Sequence, residues 1–280
     1  MKKANALLTL SLILAPVVCA EEILVRKDGK LVKATLADVK ESDSIFAGTP
    51  TLVRSIPIGR GPASQSAPPG PLAVNPNAFY SDVTTFFGSA SNNGGAALQG
   101  SNTITKLVAD DLTATASPLH PGDPITVIRF TVANLNGVAV SARPRLRFYQ
   151  DDNGGVPGTL ITGFSFNPIS FTAGTVATFS FNPGGAVPYA AGATIWAGMT
   201  FDDNSGGTGA TLTQMNNLGQ GIFGPPDVGS SVDHIFITSA AGAFLASNPA
   251  GALTNFSGSP VANFGWELAT PVELQSFTAD

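Results

Sequence analysis

The chain has 280 residues, 43% of them hydrophobic and only 12% charged, with 14 basic against 19 acidic side chains and a formal net charge of −5. An acidic chain without clustered cations is not built to hold nucleic acid or an anionic membrane, since both reward patches of Lys and Arg. A single cysteine, Cys19, leaves no internal disulfide framework and no cysteine-rich metal centre.

The first element is the basic start Met1-Lys2-Lys3, followed by the apolar run Ala6 to Val18 and by Val18-Cys19-Ala20 ahead of Glu21-Glu22. That order is a secretory signal peptide over residues 1–20, with cleavage expected after Ala20. A lipoprotein signal acylated on Cys19 is the rival reading, but Pro16-Val17-Val18 lacks the small residue such signals place before the cysteine. Beyond the signal no apolar run nears the ~18 residues of a membrane helix. The mature chain is therefore expected outside the cytoplasm, in the extracellular space or at the cell surface, with the periplasm as the alternative, and without a membrane span.

Residues 21–58 form a small charged segment in which Ile23 to Val32 reads as two short strands about Asp28-Gly29. Residues 59–78 are dense in Pro and Gly and read as a linker. From 79 to about 268, short β-branched and aromatic runs alternate with Gly, Asn, Asp and Pro clusters: Val83 to Phe87, Thr103 to Val108, Ile125 to Val132, Val138 to Tyr149, Thr175 to Phe181, Thr194 to Phe201, His234 to Thr238 and Val261 to Leu268. Regular short strands with turn signals between them predict an all-β fold, an antiparallel, jelly-roll-like β-sandwich. In Val140 to Tyr149 the alternation puts Val140, Ala142, Leu146 and Phe148 on one face and Arg143, Arg145 and Arg147 on the other, with Pro144 marking an edge or bulge. Residues 270–280 form a C-terminal tail.

Gly94-Gly95, Asn134-Leu135-Asn136, the run Arg145 to Gly158, Asn216 to Gly221 and Asn263-Phe264-Gly265-Trp266 together resemble a group of bacterial exported β-sandwich proteins that often carry a PEP-CTERM-type sorting segment. The resemblance spans residues 79 to 269 and implies fold and export; it brings no catalytic residues with it. The last residues depart from that pattern, having neither an apolar span nor a basic tail. Pro271-Val272-Glu273-Leu274-Gln275-Ser276-Phe277 instead looks like the opening of a segment that precedes C-terminal modules in some bacterial surface proteins.

The residues offer three candidate chemistries. Asp151-Asp152-Asn153 and Asp202-Asp203-Asn204, each running into glycines, supply the oxygen ligands that Ca²⁺ requires, although Asp, Asn and Gly are also what ordinary turns demand. Asp110-Asp111 carries the same two readings. The stripe Arg143, Arg145 and Arg147, with Tyr149 and Trp196, is a candidate surface for an acidic glycan; the commoner outcomes are a solvated strand face or pairing with neighbouring carboxylates for the arginines and core packing for the aromatics. His120 and His234 lie in no metal or triad spacing, and beyond the linker glutamate occurs only at Glu267 and Glu273. The expected function is an exported, non-enzymatic surface or extracellular-matrix protein that meets glycans or other surface proteins. The alternative is a polysaccharide hydrolase using an aspartate acid/base pair.

Overall fold

The computed structural model describes residues 23–27, 30–34, 45–59, 71–99, 102–115, 125–152, 154–187, 193–242, 247–256 and 262–270. The signal segment, residues 271–280 of the C-terminal tail, His120, Asn153 and Tyr189 lie outside the described residues. The strands in chain order are β1 (Ile23–Lys27), β2 (Lys30–Ala34), β3 (Ile45–Phe46), β4 (Thr51–Pro57), β5 (Ala78–Ser81), β6 (Phe86–Asn92), β7 (Ala97–Gln99), β8 (Asn102–Ile104), β9 (Val108–Thr113) and β10 (Val127–Asn134). They continue with β11 (Val140–Asp151), β12 (Pro157–Ser165), β13 (Ile169–Phe171), β14 (Thr175–Phe181), β15 (Thr194–Asp202), β16 (Leu218–Phe223), β17 (Ile235–Thr238), β18 (Gly251–Thr254), β19 (Asn263–Phe264) and β20 (Trp266–Ala269). One short helix, α1 (Leu212–Asn216), is closed at its start by a capping box between Thr211 and Gln214. Among the described residues no helix is long and apolar enough to cross a membrane.

Strands β1 and β2 make a separate two-stranded sheet, and β3 to β20 form an all-β sandwich of two sheets. One runs β19-β16-β10-β14-β4, with β20 beside the other half of β10, β5 beyond it and β6 on β16; the second runs β18-β17-β9-β15-β11-β12-β3, with β13 on β11 and the β7-β8 pair on β15. The chain crosses between sheets repeatedly, among others from β3 to β4, β6 to β7, β9 to β10, β10 to β11, β13 to β14, β14 to β15, β15 to β16, β16 to β17 and β18 to β19, so that many sheet neighbours, apart from pairs such as β7-β8, β11-β12 and β17-β18, are far apart in sequence. Pro144 sits where the partner of β11 changes from β13, opposite residues 140–142, to β12, opposite residue 145 onward. This is an interruption in the ladder, and it tolerates a residue that cannot donate.

Between the sheets lies one large core, built where the alternation of the sequence directs it. Val140, Ala142, Leu146 and Phe148 of β11 face Phe130, Phe164, Phe166, Phe179 and Trp266. The Phe-Ser-Phe pairs of β12 and β14 interlock here: the rings of Phe164 and Phe181 lie 5.0 Å apart and those of Phe166 and Phe181 4.9 Å, both edge to face. Such aromatic contacts add about 0.5–1.5 kcal/mol each beyond the area they bury. A second, smaller core covers the other face of the second sheet, where Tyr149 and Trp196 pack with Ile104, Leu107, Ala109, Phe236 and Ala241.

The sandwich begins earlier than residue 79. β3 pairs parallel with β12, β4 pairs antiparallel with β14, and Ile56 is buried. Asn75 and Asn77 are also buried, and Ala78 already belongs to β5. Within the charged segment, β1 and β2 pair antiparallel with Lys27 opposite Lys30.

Candidate functional site

The arginine stripe lies inside the protein. Alternation correctly separates the two faces of β11, and on the arginine face, which also carries the second small core, Arg145 and Arg147 are fully buried while the Arg143 side chain is 12% exposed, so carboxylate pairing and not a solvated face is the outcome. Antiparallel register places Asp202 directly opposite Arg143, with Arg145 two residues further along the same face. Arg143 Nε donates to Asp202 Oδ1 at 2.8 Å, and Arg145 Nε pairs with Asp202 Oδ2. Arg147 lies flat over Gly163, where a Cβ would stand 2.7 Å from the guanidinium carbon; glycine is what lets the two strands and this side chain coexist. Tyr149 is fully buried and Trp196 is 1% exposed, so neither presents a ring to a sugar at the surface.

The two Asp-Asp-Asn loops do not combine. Asp202 pairs near the start of β11 and Asp151 ends it, so eight residue steps at ~3.3 Å separate them, roughly 25 Å. Their oxygens are committed locally. Asp151 Oδ1 accepts from Trp196 Nε1 at 2.9 Å. Asp152 Oδ1 accepts from the backbone N–H groups of Gly154 (2.6 Å) and Val156 (3.3 Å), which is an Asx turn. Asp202 Oδ1 also accepts from Asn204 N at 2.9 Å, and Asp203 Oδ1 from Thr103 N at 2.9 Å. Asn204 itself has φ +53°, the left-handed turn conformation asparagine tolerates. These loops are turn and tether chemistry; among the described residues no three His, Cys, Asp or Glu side chains are placed to hold a metal ion.

The densest titratable cluster is elsewhere, at the end of β5, in β9, in the strap 227–234 and in β19. The strap crosses β5 and β9 by backbone bonds: Asp227 N and Val228 N donate to Ser81 O, and Ser230 N to Thr113 O. Gly229, at φ +80°, makes this crossing close, since a Cβ there would lie 2.6 Å from Thr113 O. Beneath the strap are Asp82, Asp110 and Asp111, all buried, with Tyr80. Asp110 Oδ2 accepts from Phe264 N at 2.7 Å and Asp111 Oδ2 from Val232 N at 3.2 Å. Both Oδ1 atoms turn to the Ser231 hydroxyl, at 3.4 and 3.1 Å.

Burial dominates the electrostatics of this cluster. It pushes Asp82 up to about 8, with help from the charge of Asp227, and Asp111 up to about 6. Asp110 is held well above the usual carboxylate range by burial and then by Asp111, and the Tyr80 phenol is raised by burial and by all three carboxyls. Among the described residues no arginine or lysine is a cause of the shift in any of these three aspartates, while His234 lowers Asp111. Close by, Glu267 is buried too, which raises it, but it has partners. Its Oε1 pairs with Arg129 Nη1 at 2.8 Å, while Oε2 accepts from Asn75 N (3.1 Å) and Ser81 Oγ (3.0 Å).

Asp110-Asp111 was readable as a pair of carboxylates in a strand, but nothing in Tyr80-Ser81-Asp82 marks Asp82 as its neighbour, and Ser231 and Asn263 arrive from more than 110 residues away. Only strand pairing brings them together. Comparison of the chain with protein-family models, with curated proteins and with solved structures finds no match.

Proposed function

We propose that this is an exported, non-enzymatic component of a cell surface or extracellular matrix, acting through a rigid β-sandwich and its surface. The signal-type start at residues 1–20 supports export. The observation that carries the non-enzymatic reading is where the charged groups point. Arg143 and Arg145 are spent on Asp202, Arg129 on Glu267, and Asp151 on the Trp196 indole, so these groups serve the fold. Of the partners expected, another surface protein is favoured over a glycan. Among the described residues no Trp or Tyr is exposed, whereas Ile45, Phe46, Leu52 and Val53 are exposed on the edge strands β3 and β4. Arg54, Pro57 and the register shift opposite Thr178 and Phe179 protect β4 from open-ended strand pairing, so contact there would be through side chains.

A second reading, a polysaccharide hydrolase, draws on Asp82, Asp110 and Asp111, whose raised values set acid and base candidates side by side. One assay separates the two: secreted protein incubated with a panel of polysaccharides. The non-enzymatic reading predicts no new reducing ends from any of them. Release that Asp111→Asn abolishes would replace it with the hydrolase.

A further inference from the structure

We propose that the strap 227–234 is a pH-operated latch: a proton carried by the buried Asp82 carboxyl fastens it to the sandwich through Asn263, and loss of that proton as pH rises releases it. The latch needs neither an enzymatic activity nor a partner, so it stands apart from the proposed function.

The proton follows from the hydrogen bonds around Asn263. Its amide Nδ2 donates toward Ala262 O at 2.9 Å, Ser231 Oγ at 2.8 Å and Val232 O at 3.1 Å. Ser231 and Val232 belong to the strap, so this one amide ties the strap to β19. With Nδ2 engaged there, the amide oxygen is turned to the Asp82 carboxyl, which lies against the same side chain. Asp82 is 0% exposed, and neither of its oxygens accepts a hydrogen bond from a described residue. Two oxygens set against each other are joined only when one carries a proton, and of these two only the carboxyl can carry it. Asp82 is therefore the donor and Asn263 Oδ1 the acceptor, and this bond fixes the amide in the orientation that holds the strap.

The groups packed around Asp82 favour the acid form. Asp227 faces it from the strap, Asp110 from β9 with Asp111 beside it, and Tyr80 from β5. The charged groups of the neighbouring elements have their own partners. Arg129 pairs with Glu267 of β20, Arg54 Nη1 donates to Val83 O at 3.4 Å, Asp233 Oδ1 accepts from Phe256 N at 3.2 Å, and His234 acts on Asp111. Burial, and then the Asp227 charge, hold Asp82 up to about 8. Once ionised, its carboxylate faces an amide oxygen and a second carboxylate, and a buried charge without a donor is costly. The amide relieves this by turning Nδ2 to Asp82, which takes its bonds from Ser231 and Val232. The strap then keeps the backbone bonds of Asp227, Val228 and Ser230 and the Val232 N–H to Asp111. Its release uncovers the Tyr80 ring beneath Gly229 and frees the backbone groups of Ser81 and Thr113.

The test follows amide hydrogen exchange by NMR in the secreted wild-type protein and in Asp82→Asn, with each rate corrected for the intrinsic effect of pH. In the wild type, protection of the Val228, Ser230 and Val232 amides should fall by about tenfold or more between pH 5 and pH 8, because opening lets a carboxyl ionise that closure keeps protonated. Urea well below the unfolding midpoint should leave this exchange unchanged while it speeds that of β11 and β15, the mark of a local opening. The amide introduced by Asp82→Asn can donate to Asn263 at any pH, so the strap of that variant should stay protected and lose most of its pH dependence. Protection that holds level in the wild type, that falls as far in Asp82→Asn, or that urea weakens in step with the core would overturn the latch. If Asp82→Asn does not fold, the Asp82 carboxyl carbon of the wild type decides. Its signal should titrate near pH 8, and a carboxyl already ionised at pH 5 would overturn the latch.

Discussion

Asp202→Asn is expected to destabilise the fold by about 3–5 kcal/mol, the usual cost of removing one partner from a buried ion pair. The carboxylate is buried and meets Arg143 and Arg145 together, so the substitution takes the same counter-charge from two guanidinium groups inside the second sheet. Urea denaturation followed by circular dichroism checks it, with Asp152→Ala in the exposed Asx turn as the comparison. A loss below about 1 kcal/mol would mean that the arginines do not depend on this carboxylate, and the description of their face as a neutralised interior layer would fall.

The second large effect is a pH dependence of stability. Asp82, Asp110 and Asp111 are raised in the fold above the ordinary aspartate value of 3.8, Asp82 to about 8 and Asp111 to about 6. Their protonated forms are therefore favoured by folding. The stability they contribute is fully present below pH about 4 and is lost as pH rises through 6 and then 8, because the unfolded chain ionises first. For Asp82 alone this amounts to about 4 kcal/mol between pH 5 and pH 9. Urea midpoints in EDTA should fall across that range, and Asp82→Asn should flatten the upper part of the decline. Midpoints that stay level or rise from pH 5 to pH 9 in EDTA would show that these carboxyls are not held protonated.

Much of the fold was legible because a strand's side chains alternate with a period of two. Thr175 to Phe181 is β14 residue for residue, Thr194 to Phe201 is β15 but for Asp202, and the apolar face of β11 is the core face. What alternation cannot tell is whether the opposite face meets water. The face carrying Arg145, Arg147, Tyr149 and Trp196 is covered by residues such as Ile104, Leu107 and Phe236, which come from short β8, the turn before β9 and β17. None of these announces its partner locally. Asp202 looked like a loop aspartate because Asp203, Asn204 and Gly206 follow it; only the register of β15 against β11 shows it as the counter-ion of Arg143 and Arg145. The edge strands β3 and β4 were hidden for the related reason that a Pro- and Gly-rich stretch follows them, and such a stretch reads as a boundary whether or not what precedes it packs against the domain.

The account rests on the side chains that suggested a ligand surface being inside the sandwich, and the tryptophans report on this directly. The chain has two, Trp196 and Trp266, 1% and 0% exposed. Acrylamide quenching of their fluorescence should be weak in the folded protein, with blue-shifted emission, and should become strong only on denaturation. A readily quenched component in the folded protein, protected by added glycan, would place Trp196 at a binding surface and contradict the account.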